Sequence, residues 1–297
     1  YNMNRLKSTF IIAAVTTLAA NAQLSKGTVF INKDVTTHIV MPENIKLVDI
    51  STDNFIGNQC ASNIVRIKPN IEQDSLGNSI LRFHNCQMLG TLTIIGERHI
   101  AQYDIAYADR PSNAASIYKV KQRDLDDYLN PGVAMPESDM AAYCWAIYRS
   151  GRRFNNITSN KNGMKAAVNN IYSVGNYFFI DFTMLNKTKV RYDIAELRVF
   201  LTDKKEVKST NVQALELTPV YTLNLAKGFD KSYRNVLVLE KLTFPEEKIL
   251  RIEMSENQIS GRVIALEIEY EDILNADGFT PDLFKKLPDN VPGHLYQ

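Results

Sequence analysis

Apolar and polar residues alternate with a period of two through much of this chain, in short runs separated by turn-forming residues. That pattern predicts antiparallel strands. In the first third the runs fall at 36–41, 45–50, 64–68, 80–83, 91–95 and 100–107, with turns at Glu43-Asn44, Leu76-Gly77-Asn78 and Gly96-Glu97-Arg98. Val65 and Ile67 alternate with Arg66 and Lys68, so one face of that strand should be wet. The pattern lapses over 110–167, which carries Pro111, Pro131-Gly132 and Pro136. The strong element there is a helix near 140–150, with Ser138 or Asp139 as cap and Gly151 as stop. Met140, Cys144, Ile147 and Tyr148 share one face of it at helical spacing, and Trp145 lies beside that face. Strands return from Ile171, at 178–184, 194–201, 220–225, 235–239, 250–254 and 262–270. Both faces of 178–184 are bulky, which suits a central strand. In the last run Ile264, Leu266, Ile268 and Tyr270 should face inward, and Ala265, Glu267 and Glu269 outward.

The expected fold class is mainly β: two antiparallel β-sandwich-like domains joined by a linker containing one helix. The N-terminal β domain is expected over 23–109 and the linker over 110–167. A C-terminal β-sandwich of immunoglobulin-like size follows over 168–275, then a peripheral tail over 276–297. Length agrees, since 297 residues exceed what one hydrophobic core usually serves. Composition narrows the function classes. With 34 Lys+Arg against 33 Asp+Glu, the balance argues against a basic nucleic-acid coat or an acidic tail. Hydrophobic residues at 45% and charged residues at 23% argue for a folded chain.

Residues 1–22 read as a signal peptide. Arg5 and Lys7 precede an uncharged run from Phe10 to Ala20, and Ala20-Asn21-Ala22 offers the small-x-small cleavage pattern, with the cut between Ala22 and Gln23. The run is shorter than the roughly 20 residues a bilayer span needs. The protein is therefore expected to be exported. In an oxidising compartment Cys60 and Cys86 could form a bridge worth about 3 kcal/mol, with two buried free thiols as the alternative. Cys144 reads as a core residue of the helix.

No enzyme constellation stands out. The four histidines are followed by Ile39, Asn85, Ile100 and Leu295, so no His-Glu-x-x-His occurs, nor does Gly-x-Ser-x-Gly, a phosphate-binding Gly-x-x-x-x-Gly-Lys-Ser/Thr or Cys-x-x-Cys. No catalytic residue, cofactor or metal site is expected. His84 with Cys86 reads as a strand residue and a thiol. Asp124, Asp126 and Asp127 lack the glycine and closing glutamate of a calcium loop, and read as a solvated acidic face. Between Asp139 and Asp181 lies an acid-free basic run, with Arg149, Arg152 and Arg153 as a candidate contact patch and Lys161 and Lys165 beyond. It could meet nucleic acid or anionic headgroups, but a cationic linker is the favoured reading and direct nucleic-acid binding is not expected.

The residues also resemble a family. His38-Ile39-Val40-Met41-Pro42-Glu43-Asn44-Ile45, Val48-Asp49-Ile50, Asn63-Ile64-Val65-Arg66-Ile67-Lys68, Leu92-Thr93-Ile94-Ile95 and Tyr103-Asp104-Ile105-Ala106-Tyr107-Ala108 are similar to the N-terminal half of the TraN proteins of conjugative transposons. Leu185-Asn186-Lys187-Thr188, Tyr192-Asp193-Ile194, Leu197-Arg198-Val199-Phe200, Thr202-Asp203-Lys204-Lys205, Leu217-Thr218-Pro219-Val220-Tyr221, Leu242-Thr243-Phe244-Pro245 and Gly261-Arg262 resemble its C-terminal half. The stretches at Gln59-Cys60 and 72–78 depart from the pattern. The resemblance implies a structural subunit of a Bacteroides-type conjugative type IV secretion system, similar to the two-domain β-rich subunit of the outer-membrane core complex. It implies a periplasmic location, a homo-oligomeric ring, and a lipoprotein and a channel-forming core subunit as partners that supply membrane association. Exposed strand edges would serve as contact sites. The rival expectation is an exported β-sandwich binding module, an adhesin or glycan binder.

Overall fold

Alternation becomes strand wherever a second sheet or a helix takes up the apolar face. In the computed structural model, residues 26–73, 79–80, 82–204, 214–258, 261–280 and 282–283 are described. The expected leader, 1–22, and its Ala22–Gln23 cleavage point lie outside them. The fold is mainly β, and the chain divides into two units, Tyr1–Tyr128 and Leu129–Gln297.

In chain order the first unit contains β1 (Thr28–Ile31), β2 (Thr37–Val40), β3 (Leu47–Ile50), β4 (Phe55–Ala61), β5 (Ile64–Pro69), β6 (Glu72–Gln73), β7 (Ser79–Ile80), β8 (Met88–Ile95), β9 (His99–Tyr107), β10 (Ile117–Lys119) and β11 (Asp126–Asp127). One sheet runs β1-β9-β8-β3, with β11 also on β9, and the other runs β10-β2-β5-β4. Val29, Ile31, Leu92, Ile94, Tyr103 and Ile105 from the first meet Ile39, Phe55, Val65 and Ile67 from the second in one buried core. Burying such a side chain contributes about 1.5–3 kcal/mol. The β5 pattern is the expected one, with Val65 and Ile67 inside and Arg66 and Lys68 exposed. Two pairings depart from an antiparallel plan: β1 runs parallel to β9, and β10 parallel to β2. Of the 80–83 run, only Ser79–Ile80 is strand, paired with β6.

The second unit contains α1 (Glu137–Arg149), β12 (Thr158–Lys161), β13 (Met164–Val174), β14 (Tyr177–Asn186), β15 (Tyr192–Asp203), β16 (Leu215–Leu217), β17 (Tyr221–Thr222), β18 (Gly228–Phe229), β19 (Ser232–Glu240), β20 (Lys248–Glu256), β21 (Val263–Glu269), α2 (Tyr270–Leu274) and β22 (Asp277–Gly278). Its sheets run β12-β13-β14-β19-β17 and β16-β15-β20-β21. Phe178, Ile180, Phe182 and Met184 of the first pack on Leu250, Ile252, Ile264 and Leu266 of the second. The opposite face of β14 is buried too, because α1 lies on it. Cys144, Ala146 and Ile147 join Tyr172, Phe179, Val236 and Val238 in a separate core. This explains why a single strand carries bulk on both faces.

The expected linker, 110–167, is not a linker. Its first part belongs to the N-terminal unit, where β10 extends β2 and β11 extends β9. Its last part supplies β12 and the start of β13, joined by a two-residue turn in which Asn162 and Gly163 take φ 51° and 73°. That is the Asn-Gly hairpin geometry. The helix starts at Glu137 directly after Pro136, so Ser138 and Asp139 sit inside its first turn and no side chain caps it. At the other end Ser150 Oγ donates to the Ile147 carbonyl at 2.7 Å. The tail is not peripheral in its described part: β22 pairs parallel with β13, and Leu283 is buried under α1's core.

Candidate functional site

The residues singled out from the sequence are dispersed. Cys60 and Cys86 are free and exposed, so neither a bridge nor a pair of buried thiols is made. Cys60 lies on the edge strand β4 with its Sγ 3.6 Å from the Ile64 carbonyl, and Cys86 sits in a turn at φ 62°. Cys144 is buried as expected, and burial pushes its thiol pKa up. Arg149 lies 6.0 Å from the Trp145 ring, Arg152 Nε donates to the Phe154 carbonyl at 2.5 Å, and Arg153 pairs with Asp277 at 3.0 Å. Arg149 at the end of α1 and Arg152 and Arg153 after it are all exposed, while Lys161 and Lys165 stand on β12 and β13. Of the three aspartates expected on a solvated face, Asp127 is exposed but Asp124 is not. Asp124 is buried and accepts from the Tyr103 hydroxyl at 3.3 Å, Asp126 pairs with Lys26 at 2.6 Å, and Asp127 lies 3.8 Å from His99. Among the described residues no group of three His, Cys, Asp or Glu could hold a metal.

Residues quoted for the resemblance are instead drawn together in the C-terminal unit. Arg262, at the entry to β21, donates to Glu256 from Nε at 2.9 Å and from Nη2 at 2.5 Å. Its Nη1 donates to Thr188 Oγ1 at 3.0 Å, and Nη2 reaches the Arg191 carbonyl at 3.2 Å. The guanidinium lies 5.0 Å over the ring of Tyr192, whose hydroxyl reaches the Arg262 carbonyl at 2.7 Å and the Met254 carbonyl at 3.0 Å. Arg262 holds the Glu256 carboxyl below its usual pKa. Two stretches far apart in sequence, Asn186–Tyr192 and Glu256–Arg262, thus meet at one corner. Gly261 is required there: a Cβ would collide with the Glu256 carbonyl. In the N-terminal unit Glu43 acts similarly, its Oε1 accepting from the Arg98 and His99 amides at 3.0 and 2.9 Å.

A second buried polar cluster carries no sequence motif. Asp181 on β14 is fully buried on the α1 side, bound bidentately by Arg234 at 2.9 and 2.6 Å. Asn169 and Asn170 each donate to it at 2.9 Å. A β-bulge at Val168/Asn170 makes this possible, because the extra residue turns both asparagines toward the same carboxylate. The ring of Tyr148 on α1 stacks 4.7 Å from the Arg234 guanidinium. All four carboxylate-facing donors are protein groups, so the cluster fastens helix to sheet.

What remains is surface. The outer face of β15-β20-β21 is charged and self-neutralised: Arg198 pairs with Glu216 at 2.6 Å, Arg251 with Glu253 at 3.0 Å, Lys204 with Glu269 at 2.7 Å and Lys248 with Asp203 at 3.0 Å. A polar groove of about 520 Å³ lies there, lined by residues of β12, β20, β21 and α2, none of them aromatic. The outer face of β10-β2-β5-β4 is different. Its register rows are Lys68 beside Ile56; Ile117, His38, Arg66 and Asn58; and Lys119, Val40 and Ile64. No carboxylate stands in any of them, and β4 ends the sheet with six consecutive exposed residues and no charge.

Comparison with known proteins adds one family. A DUF4138 domain, described as a domain of unknown function, is found at residues 137–278, from the first residue of α1 to the end of β22. No curated protein matches the chain.

Proposed function

We propose that the protein is a structural, non-catalytic subunit of a conjugative type IV secretion apparatus, exported to the periplasm and assembled in the outer-membrane core complex to support DNA transfer. The TraN resemblance is the source of this reading. The observation that carries it is what the resembling residues do. Asn186, Thr188, Tyr192 and Arg262 form a corner that holds strands together, and Glu43 fastens a turn. Residues engaged in such contacts serve shape, which is what a ring subunit needs. Open strand edges and an unneutralised sheet face supply contact surface. The partners are other transfer proteins, a lipoprotein and a channel-forming subunit among them, and membrane association comes through them. The rival glycan-binding module draws less support, because sugars stack on aromatic rings and the polar groove of about 520 Å³ beside β20 and β21 offers none.

Gentle detergent extraction of envelopes from DNA-donor cells tests the reading. A large particle containing this chain together with other transfer proteins is expected. A free periplasmic monomer would overturn the proposal.

A further inference from the structure

Charge is distributed unevenly between two surfaces of this chain. On the outer face of β10-β2-β5-β4, Arg66, Lys68 and Lys119 are exposed, and none is in an ion pair among the described residues. Arg66 spends one donor on Asn58, at 2.6 Å. Around them Ile56 is 55% and Ile117 64% exposed. A shallow groove of about 280 Å³ runs over Gly57 between Ile56, Arg66 and Lys68. The β15-β20-β21 face is neutralised by its own ion pairs, whereas these cations are left available to an acidic partner.

The complementary surface is on the C-terminal unit. Glu246 and Glu271 line a groove of about 260 Å³ with Leu274. Both glutamates are exposed and in no ion pair among the described residues, and Leu274 is 66% exposed. Among the described residues the one cation in that groove, Lys204, is already neutralised by Glu269 at 2.7 Å. Each surface therefore has surplus charge of one sign and an uncovered aliphatic side chain. A nucleic acid would answer the cations but leave Ile56 and Ile117 wet.

We infer that the basic β10-β2-β5-β4 face of one copy docks the acidic α2 corner of a second copy, with Leu274 set against Ile56 in the groove over Gly57. The inference deepens the proposed function and rests on its premise that the protein assembles with copies of itself. The contact is heterologous, so repetition generates a ring or an open filament rather than a closed dimer. Four strands at about 4.8 Å spacing and six residues at about 3.3 Å make a face of about 400 Å² per copy, below the standard interface size. One contact alone is weak, and ring closure or further partners must add to it. Being ionic at its centre, it weakens as salt screens it.

The test is sedimentation velocity of the purified protein with charge reversals at exposed positions. Wild type should self-associate at about 0.05 M salt and do so about tenfold more weakly at 0.5 M. R66E/K68E and E246K/E271K should each be monomeric with unchanged circular dichroism. Mixed together, the two variants should associate again at about 0.05 M salt and alternate along the assembly, since each retains one usable face and the two reversed faces complement each other. Loss of association in R66E/K68E but not in E246K/E271K would overturn the α2 corner as the surface that the basic face docks. A wild-type chain that stays monomeric at about 0.05 M salt overturns the copy-to-copy contact itself. That result leaves the secretion-apparatus reading to stand or fall on whether the chain co-purifies with other transfer proteins.

Discussion

Replacing Arg234 with methionine isolates the energetics of the buried cluster. The change keeps the length of the side chain's apolar stem but removes both bonds to Asp181, whose carboxylate has no solvent access. Breaking a buried ion pair from one side costs about 3–5 kcal/mol, because the remaining charge stays desolvated. Two features favour the lower end. Asn169 and Asn170 still donate to Asp181, and the Arg234 side chain is 27% exposed, so solvent screens part of the attraction. We therefore expect a loss of about 3 kcal/mol, equivalent to about 6–12 °C in Tm for a unit of this size. Trp145 is the only tryptophan of the chain and sits on α1, so its fluorescence in urea reports the C-terminal unit alone. D181N/R234M should be less destabilised than R234M, since neither charge then remains. A loss under about 1 kcal/mol for R234M, or a double variant as costly as the two singles added, would refute the reasoning.

Three further outcomes follow from the same geometry. A thiol reagent should titrate Cys60 and Cys86 in the native protein and reach Cys144 only after unfolding; protection of either exposed thiol would contradict their placement. Gly261→Ala should cost about 1–3 kcal/mol by driving a methyl group into the Glu256 carbonyl, with wild-type stability as the refuting result. The Glu256–Arg262 pair should make stability fall in acid. The folded pKa of Glu256 lies below the ordinary glutamate value of 4.5, so the pair's contribution is complete above that value and is lost as pH falls through the depressed one. A urea series between about pH 6 and pH 3 should therefore show a steeper decline in wild type than in Glu256→Gln, and equal slopes would refute the assignment.

Several features were legible in the residues. The β21 alternation places Ile264, Leu266 and Ile268 inside, because one face of an antiparallel strand meets the core and the other meets water. The α1 face with Met140, Cys144 and Ile147 is legible for the same kind of reason at a period of 3.6. The linker expectation rested on prolines and missing acids, which are weak signals. Asn162-Gly163 was the stronger sign in that stretch, since few dipeptides suit a hairpin turn whose two residues both need positive φ. Strands β1 and β4 are harder to read, because β1 is short and β4 lacks alternation; each forms because a neighbouring strand offers it a ladder.

By itself the sequence determined the β class, the helix, and which residues of each long strand seek cover, since these follow from period and side-chain polarity. Only the tertiary structure decided what covers them. That α1 closes the second face of β14 depends on contacts between segments distant in the chain. So do the meeting of Asp181 with Arg234 and the gathering of Asn186, Tyr192 and Arg262 at one corner. The sheet faces show the same division. Arg66, Lys68 and Lys119 read as ordinary outward charges until strand register sets them side by side with no carboxylate among them. A turn and the apolar pattern fix register within a hairpin, but β10 reaches β2 from a distant segment, so its place in the sheet appears only on folding.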